Sequence, residues 1–156
     1  TISVLVENKF GALTRVAGLF SGRGYNIHSL NVAPTHNATL SRMTIVTNGD
    51  EATIEQIVKQ LNKLVDVLKV EDFGAGSGHI DRELVLVRVE LKPETRTEVL
   101  QLSEVFRAKI VDVEMSSVTL ELTGNEVKIE KFIELMQHFN ILEITRTGRI
   151  AISGDE

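Results

Sequence analysis

Few residues of this chain are spaced for chemistry, and the most informative run is Glu7-Asn8-Lys9-Phe10-Gly11-Ala12-Leu13. It joins the end of an alternating, β-rich stretch to the start of a helical pattern. Such a junction presents free backbone N–H groups and the positive end of a helix dipole, so it is able to hold a carboxylate. Gly11 lets a ligand approach the backbone, and the Asn8 amide offers two donors and an acceptor. Spacing alone leaves a second reading open, in which Asn8 and Gly11 form only a tight strand-to-helix turn.

The remaining reactive residue types are scattered. His28, His36, His79 and His138 fall on a strand, in a loop, in a joint and near a helix end, with no two at metal-ligand spacing. His28 is the only one near the junction, as a solvated strand residue or a ligand contact. The absence of cysteine excludes disulfides, thiolate nucleophiles and Cys-rich metal sites. No Gly-x-Ser-x-Gly elbow, Walker loop or His-x-x-x-His helix is present, so each familiar catalytic arrangement lacks a member. Acidic side chains read as helix caps and exposed faces, and Arg15, Arg23 and Arg42 as surface or interface residues. With 17 Lys plus Arg against 22 Asp plus Glu and no tryptophan, neither clustered cations nor stacking platforms support nucleic-acid binding. The sequon Asn37-Ala38-Thr39 reads as chance. No apolar run approaches the ~18 residues of a membrane span. The expected location is the cytoplasm, or a plastid if a transit segment has been removed ahead of Thr1.

The elements that must position the junction form a repeat over the 156 residues. Two halves of similar length each read strand, helix, strand, strand, helix, strand. They meet at a glycine-rich linker, residues 73–79, which lacks the Gly-Lys-Ser/Thr ending of a phosphate loop. In the first half, residues 2–6 alternate as a strand. Leu13, Val16, Ala17 and Phe20 then fall at helical spacing, and Gly22-Arg23-Gly24 ends that helix. Residues 27–33 and 43–47 make a hairpin around a polar loop containing Pro34. Asp50 caps a second helix striped by Ile54, Ile57, Val58 and Leu61, and residues 65–72 close the half.

In the second half, residues 84–91 are a strand, and Pro93 opens a helix carrying Val99, Leu102 and Phe106. Residues 110–115 and 118–123 form a hairpin. Thr123-x-x-Glu126 has capping-box spacing before a helix striped by Ile129, Phe132, Ile133 and Met136. Residues 141–147 and 150–153 finish as short strands. The expected class is α+β: two ferredoxin-like βαββαβ domains, residues 1–72 and 80–156. Half a chain with its helices on one sheet face is marginal alone, so pairing is expected.

The run Ser3-Val4-Leu5-Val6-Glu7-Asn8-Lys9-Phe10-Gly11-Ala12-Leu13-Thr14-Arg15-Val16 resembles the opening of an ACT domain, more specifically that of the acetohydroxyacid (acetolactate) synthase small-subunit family. The likeness continues through Gly18-Leu19-Phe20-Ser21, Arg23-Gly24-Tyr25-Asn26-Ile27, Ser29-Leu30-Asn31-Val32-Ala33, Leu40-Ser41-Arg42-Met43-Thr44-Ile45 and Lys59-Gln60-Leu61-Asn62-Lys63-Leu64-Val65-Asp66-Val67. Arg82-Glu83-Leu84 and Phe106-Arg107-Ala108-Lys109-Ile110-Val111-Asp112-Val113 carry it, more loosely, into the second half.

The resemblance implies a non-catalytic, homodimeric regulatory subunit of branched-chain amino acid biosynthesis. It would bind and activate a large catalytic subunit and impose feedback inhibition by valine or a related branched-chain amino acid. No cofactor is expected in this chain; thiamine diphosphate, magnesium and FAD belong, by the same resemblance, to the catalytic partner. Two ACT domains would pair through their second strands with effector at their interface. Asn8 and Gly11 of one chain and Asn26 of the other match the family's effector positions.

An amino acid needs donors for its carboxylate, acceptors for its ammonium and a small apolar wall. The amides of Gly11, Ala12 and Leu13 supply the first in this reading. Amide oxygens of Asn8 and Asn26 or strand carbonyls supply the second, and Leu13 and Ile27 the third. The alternatives are a free-standing ACT-type amino-acid sensor, which a basic helix would favour, and a small enzyme on the same fold, which a convergent His or carboxylate pair would favour. The sequence shows neither feature.

Overall fold

The computed structural model describes residues 1–74 and 78–154. Its compact units are Thr1–Ile80 with the segment from Arg149 on, and Asp81–Gly148. The first unit runs β1 (Ile2–Glu7), α1 (Ala12–Gly22), β2 (Ile27–Pro34), β3 (Leu40–Thr47), α2 (Glu51–Asn62) and β4 (Val67–Asp72). Its sheet is antiparallel in the order β2-β3-β1-β4, which leaves β2 at an edge with β3 as its one ladder partner among the described residues. Alternation in β1 sends Ile2, Val4 and Val6 to one face. Met43 and Ile45 lie opposite them in register, and Val16 and Phe20 of α1 with Ile57 and Leu61 of α2 complete that core. Burying side chains of this size is worth about 1.5–3 kcal/mol each, which is what fixes both helices on this face.

The ends of these helices follow their sequence signals. Asp50 accepts from the Thr53 N–H at 2.8 Å, and hydrogen bonding from Thr53, its side chain first and its backbone N–H second, holds the Asp50 carboxyl below the usual carboxylate range. At the far end of α1, Gly24 takes φ +71° and the Tyr25 N–H bonds Phe20 O at 2.9 Å, a glycine-dependent stop.

The second unit is built on β5 (His79–Glu90), α3 (Arg96–Val105), β6 (Lys109–Val113), β7 (Ser117–Gly124), α4 (Glu126–Gln137) and β8 (Ile141–Arg146), with sheet order β6-β7-β5-β8. The order repeats that of the first unit. The core joins Val85, Val87 and Val89 of β5 to Leu120 and Leu122 of β7 and to Ile129, Phe132 and Met136 of α4. Arg146 binds Glu83 at 2.6 Å and Glu130 at 2.7 Å, chiefly the Glu83 bond raising its pKa above the ordinary guanidinium value.

Four local expectations are corrected. Helix α3 starts at Arg96 rather than Pro93: the Lys92 carbonyl accepts from Thr95 N at 3.0 Å and Arg96 N at 2.9 Å, so Pro93 lies in a turn that suits its fixed φ. Asn125, not Thr123, caps α4 and accepts from Lys128 N at 3.0 Å, because Thr123 is still paired to Leu84 in the β5–β7 ladder. Strand β2 continues through Pro34, which pairs with Ser41 and so belongs to the strand rather than the loop. His79 lies in β5 and stacks on Phe73 at 5.3 Å between centroids, so the ends of the 73–79 segment are ordered by packing. Its residues 75–77 lie outside the described residues. The last strand, β9 (Ile150–Ser153), pairs with β5, whose first residues belong, like β9, to the first unit.

Candidate effector site

Strand β1 ends at Glu7, and four residues carry the chain into α1. That turn is held from three sides. The Asn8 N–H donates to Thr39 O at 2.7 Å and its side-chain amide to Ala38 O at 3.0 Å, which ties the turn to the β2–β3 loop. The Glu7 N–H donates to Asp66 O at 2.9 Å, which ties it to the α2–β4 loop. The Lys9 ammonium meets the Glu7 carboxylate at 2.6 Å, and that bond raises the lysine's pKa.

Gly11 is the N-cap of α1 with φ +89° and ψ −7°, a left-handed conformation that glycine adopts without steric cost, and no side chain caps the helix. The expected donor set is therefore only partly free. The Ala12 N–H is directed at Lys9 O at 3.2 Å, and the side chain of Ala12 is buried. The N–H groups of Phe10, Gly11, Leu13 and Thr14 have no acceptor among the described residues. Leu13 is 44% exposed, and Phe10 is wholly exposed beside it.

Asn26 and Ile27 lie elsewhere in the chain. They open β2 at the C-terminal end of α1, separated from Gly11 by an 11-residue helix of about 16 Å. The carbonyl of Asn26 accepts from the Thr47 hydroxyl, while its side chain is exposed and bonded to nothing among the described residues. Ile27 is half-buried, and His28 is exposed on β2. The structure thus brings Asn8, Gly11, Ala12 and Leu13 together and leaves Asn26 and Ile27 at the opposite end of the same helix.

One ion pair at the turn was not legible as such in the sequence. Arg15 Nε donates to Asp66 Oδ2 at 2.5 Å, and Nη2 reaches the same oxygen. The Asp66 side chain is 8% exposed and that of Arg15 46%. The guanidinium packs on Gly11 so closely that a Cβ there would stand 3.1 Å from Arg15 Nη1. The two residues are 51 positions apart, and no local pattern signals the pairing. Arg42 donates to Ser3 Oγ at 2.7 Å. Among the described residues no group of three His, Asp or Glu is placed to hold a metal, and no helix is long and apolar enough to cross a membrane.

Comparison with known proteins matches the same two halves. Residues 2–69 match the family described as the AHAS small subunit-like ACT domain, and residues 82–155 the family described as the small subunit of acetolactate synthase. The chain belongs to the acetolactate synthase small-subunit family. Among its relatives, the acetolactate synthase isozyme 3 small subunit of Escherichia coli is 50% identical, over 99% of this chain and 96% of the relative. A probable acetolactate synthase small subunit of Archaeoglobus fulgidus is 51% identical, over 97% of this chain and 94% of the relative. The crystal structure of the Thermotoga maritima acetolactate synthase small subunit superposes with a TM-score of 0.88 at 41% identity, covering 99% of this chain and 96% of that one. Membership in this family fixes the first unit as an ACT domain and supports a regulatory role for the chain.

Proposed function

We propose that this chain binds and activates a thiamine-diphosphate-dependent acetolactate synthase catalytic subunit without performing chemistry itself, and makes that subunit sensitive to a branched-chain amino acid such as valine. The observation that carries the reading is that relatives named as small subunits of this enzyme align over almost the whole chain, both halves included. The open amides of Gly11, Leu13 and Thr14 fit the effector's carboxylate, and the Asn8 side-chain oxygen fits its ammonium.

The site is completed in this reading by a second copy, and the sheet order supports a specific way of doing so. Strand β2 offers an edge of unpaired backbone groups, a ready template for strand addition. Antiparallel pairing of two β2 edges sets the start of one strand against the end of the other. The end of β2 leads into the loop that Asn8 holds through Ala38 and Thr39. Asn26 of the partner subunit thereby approaches the Asn8–Gly11 turn, although the two ends of α1 are far apart within one chain.

The deciding experiment mixes this chain with a cognate catalytic subunit, with and without valine. Alone it condenses no pyruvate; in the mixture it raises the rate and confers valine inhibition. Allosteric coupling of about 5- to 150-fold is typical, and it is reciprocal in binding terms, so valine also shifts the affinity between the subunits. A full-length chain that alters neither rate nor valine sensitivity refutes the assignment.

A further inference from the structure

Arg15 stands in the first turn of α1 with its guanidinium divided between two tasks. One edge, Nε and Nη2, is fixed on a single oxygen of the nearly buried Asp66 carboxylate. The remaining nitrogen, Nη1, lies against Gly11 and donates to no group among the described residues. The turn that leads into this helix also carries the open N–H groups of Gly11, Leu13 and Thr14. A guanidinium carries five N–H donors in a rigid fork, so anchoring one edge fixes the direction of the other. We propose that Arg15 is the cationic contact for the carboxylate of the amino-acid effector, and that Asp66 positions it.

The inference rests on the effector reading above and deepens it. Charge balance favours it. Glu7, Lys9, Arg15 and Asp66 around the turn form two ion pairs that sum to zero, so a zwitterionic amino acid enters without leaving a net charge behind. Burial favours it as well. The carboxylate of the pair is the enclosed partner and the guanidinium is half open to solvent, the arrangement of a cation held from behind and offered in front.

The test titrates the protein calorimetrically with valine and with valinamide, which keeps the ammonium and side chain but has no carboxylate. Wild type is expected to prefer valine strongly. Arg15→Met is expected to weaken valine by about 10- to 100-fold, the worth of a charge-assisted hydrogen bond, while leaving valinamide within about threefold, so that the preference collapses. Asp66→Asn keeps the cation but loosens its aim, and is expected to reduce the preference by about 3- to 10-fold. Arg15→Met leaves Asp66 buried without its partner, so the double variant Arg15→Met/Asp66→Asn serves as the folded control and should show the same collapse. A folded double variant with an undiminished valine-to-valinamide ratio overturns the role of Arg15, and an unchanged ratio in Asp66→Asn overturns that of Asp66. Wild type that binds neither compound overturns instead the effector reading beneath both.

Discussion

Gly11→Asp separates strain from charge at the proposed site. The new residue must hold φ +89°, and its Cβ begins 3.1 Å from Arg15 Nη1, so the guanidinium has to give by a few tenths of an ångström. A left-handed conformation costs an L-residue roughly 1–2 kcal/mol, with Asp at the low end because its short polar side chain tolerates that region. This strain is present with and without ligand and lowers stability rather than affinity. The charge acts on affinity. An Asp carboxylate here competes for Arg15 and faces the ligand's carboxylate at about 4 Å, a repulsion of about 4 kcal/mol at an effective dielectric constant near 20. Screening at the half-exposed site brings this to about 2 kcal/mol, roughly thirtyfold in affinity. Gly11→Ala carries at least as much strain without the charge and should bind valine within about threefold of wild type. The assay is calorimetric titration with valine alongside thermal melts of all three proteins. Equal weakening by Ala and Asp would show that only backbone geometry matters, and unchanged affinity in a folded Asp variant would return the junction to a plain strand-to-helix turn.

Asn26→Ala should weaken valine by about 10-fold or more without dissociating the proposed dimer, because its side chain has no partner among the described residues of its own chain; a loss under about threefold in titration, with the oligomeric state checked by ultracentrifugation, removes it from the site. Asp50→Ala should lower the melting temperature at neutral pH. The Asp50 pKa is depressed in the folded state, so its contribution is present above the ordinary carboxylate range and lost as pH falls through the lowered value. Wild type and variant should therefore converge only in strong acid, and convergence at neutral pH would count against the cap. Arg146→Met removes the partner of Glu83, whose side chain is 6% exposed, and should cost about 2–3 kcal/mol in urea unfolding, below the fully buried range because Arg146 itself is 36% exposed. A loss under 0.5 kcal/mol, within the ordinary surface range, would mean that Glu83 is held by the fold rather than by the pair.

Alternation in β1 and the stripes Val16/Phe20, Ile57/Leu61 and Ile129/Phe132/Met136 are properties of neighbouring residues, so the element order, the internal repeat and both cores were legible in the chain. The Asn8–Gly11 junction was legible for the same reason, being a local change of period marked by a glycine. Features that depend on where a ladder ends were not. Thr123 satisfies the spacing of a capping box, but its pairing with Leu84 moves the cap to Asn125, and the turn at Lys92 delays α3 past Pro93. Least legible were contacts between distant segments. Nothing around Asp66 marks it as the buried partner of Arg15, 51 residues away, nor Glu83 as the partner of Arg146, 63 residues away. Hydrophobic periodicity specifies which face of an element is buried, whereas the pairing of individual polar groups is decided only when strand order and register bring those faces together.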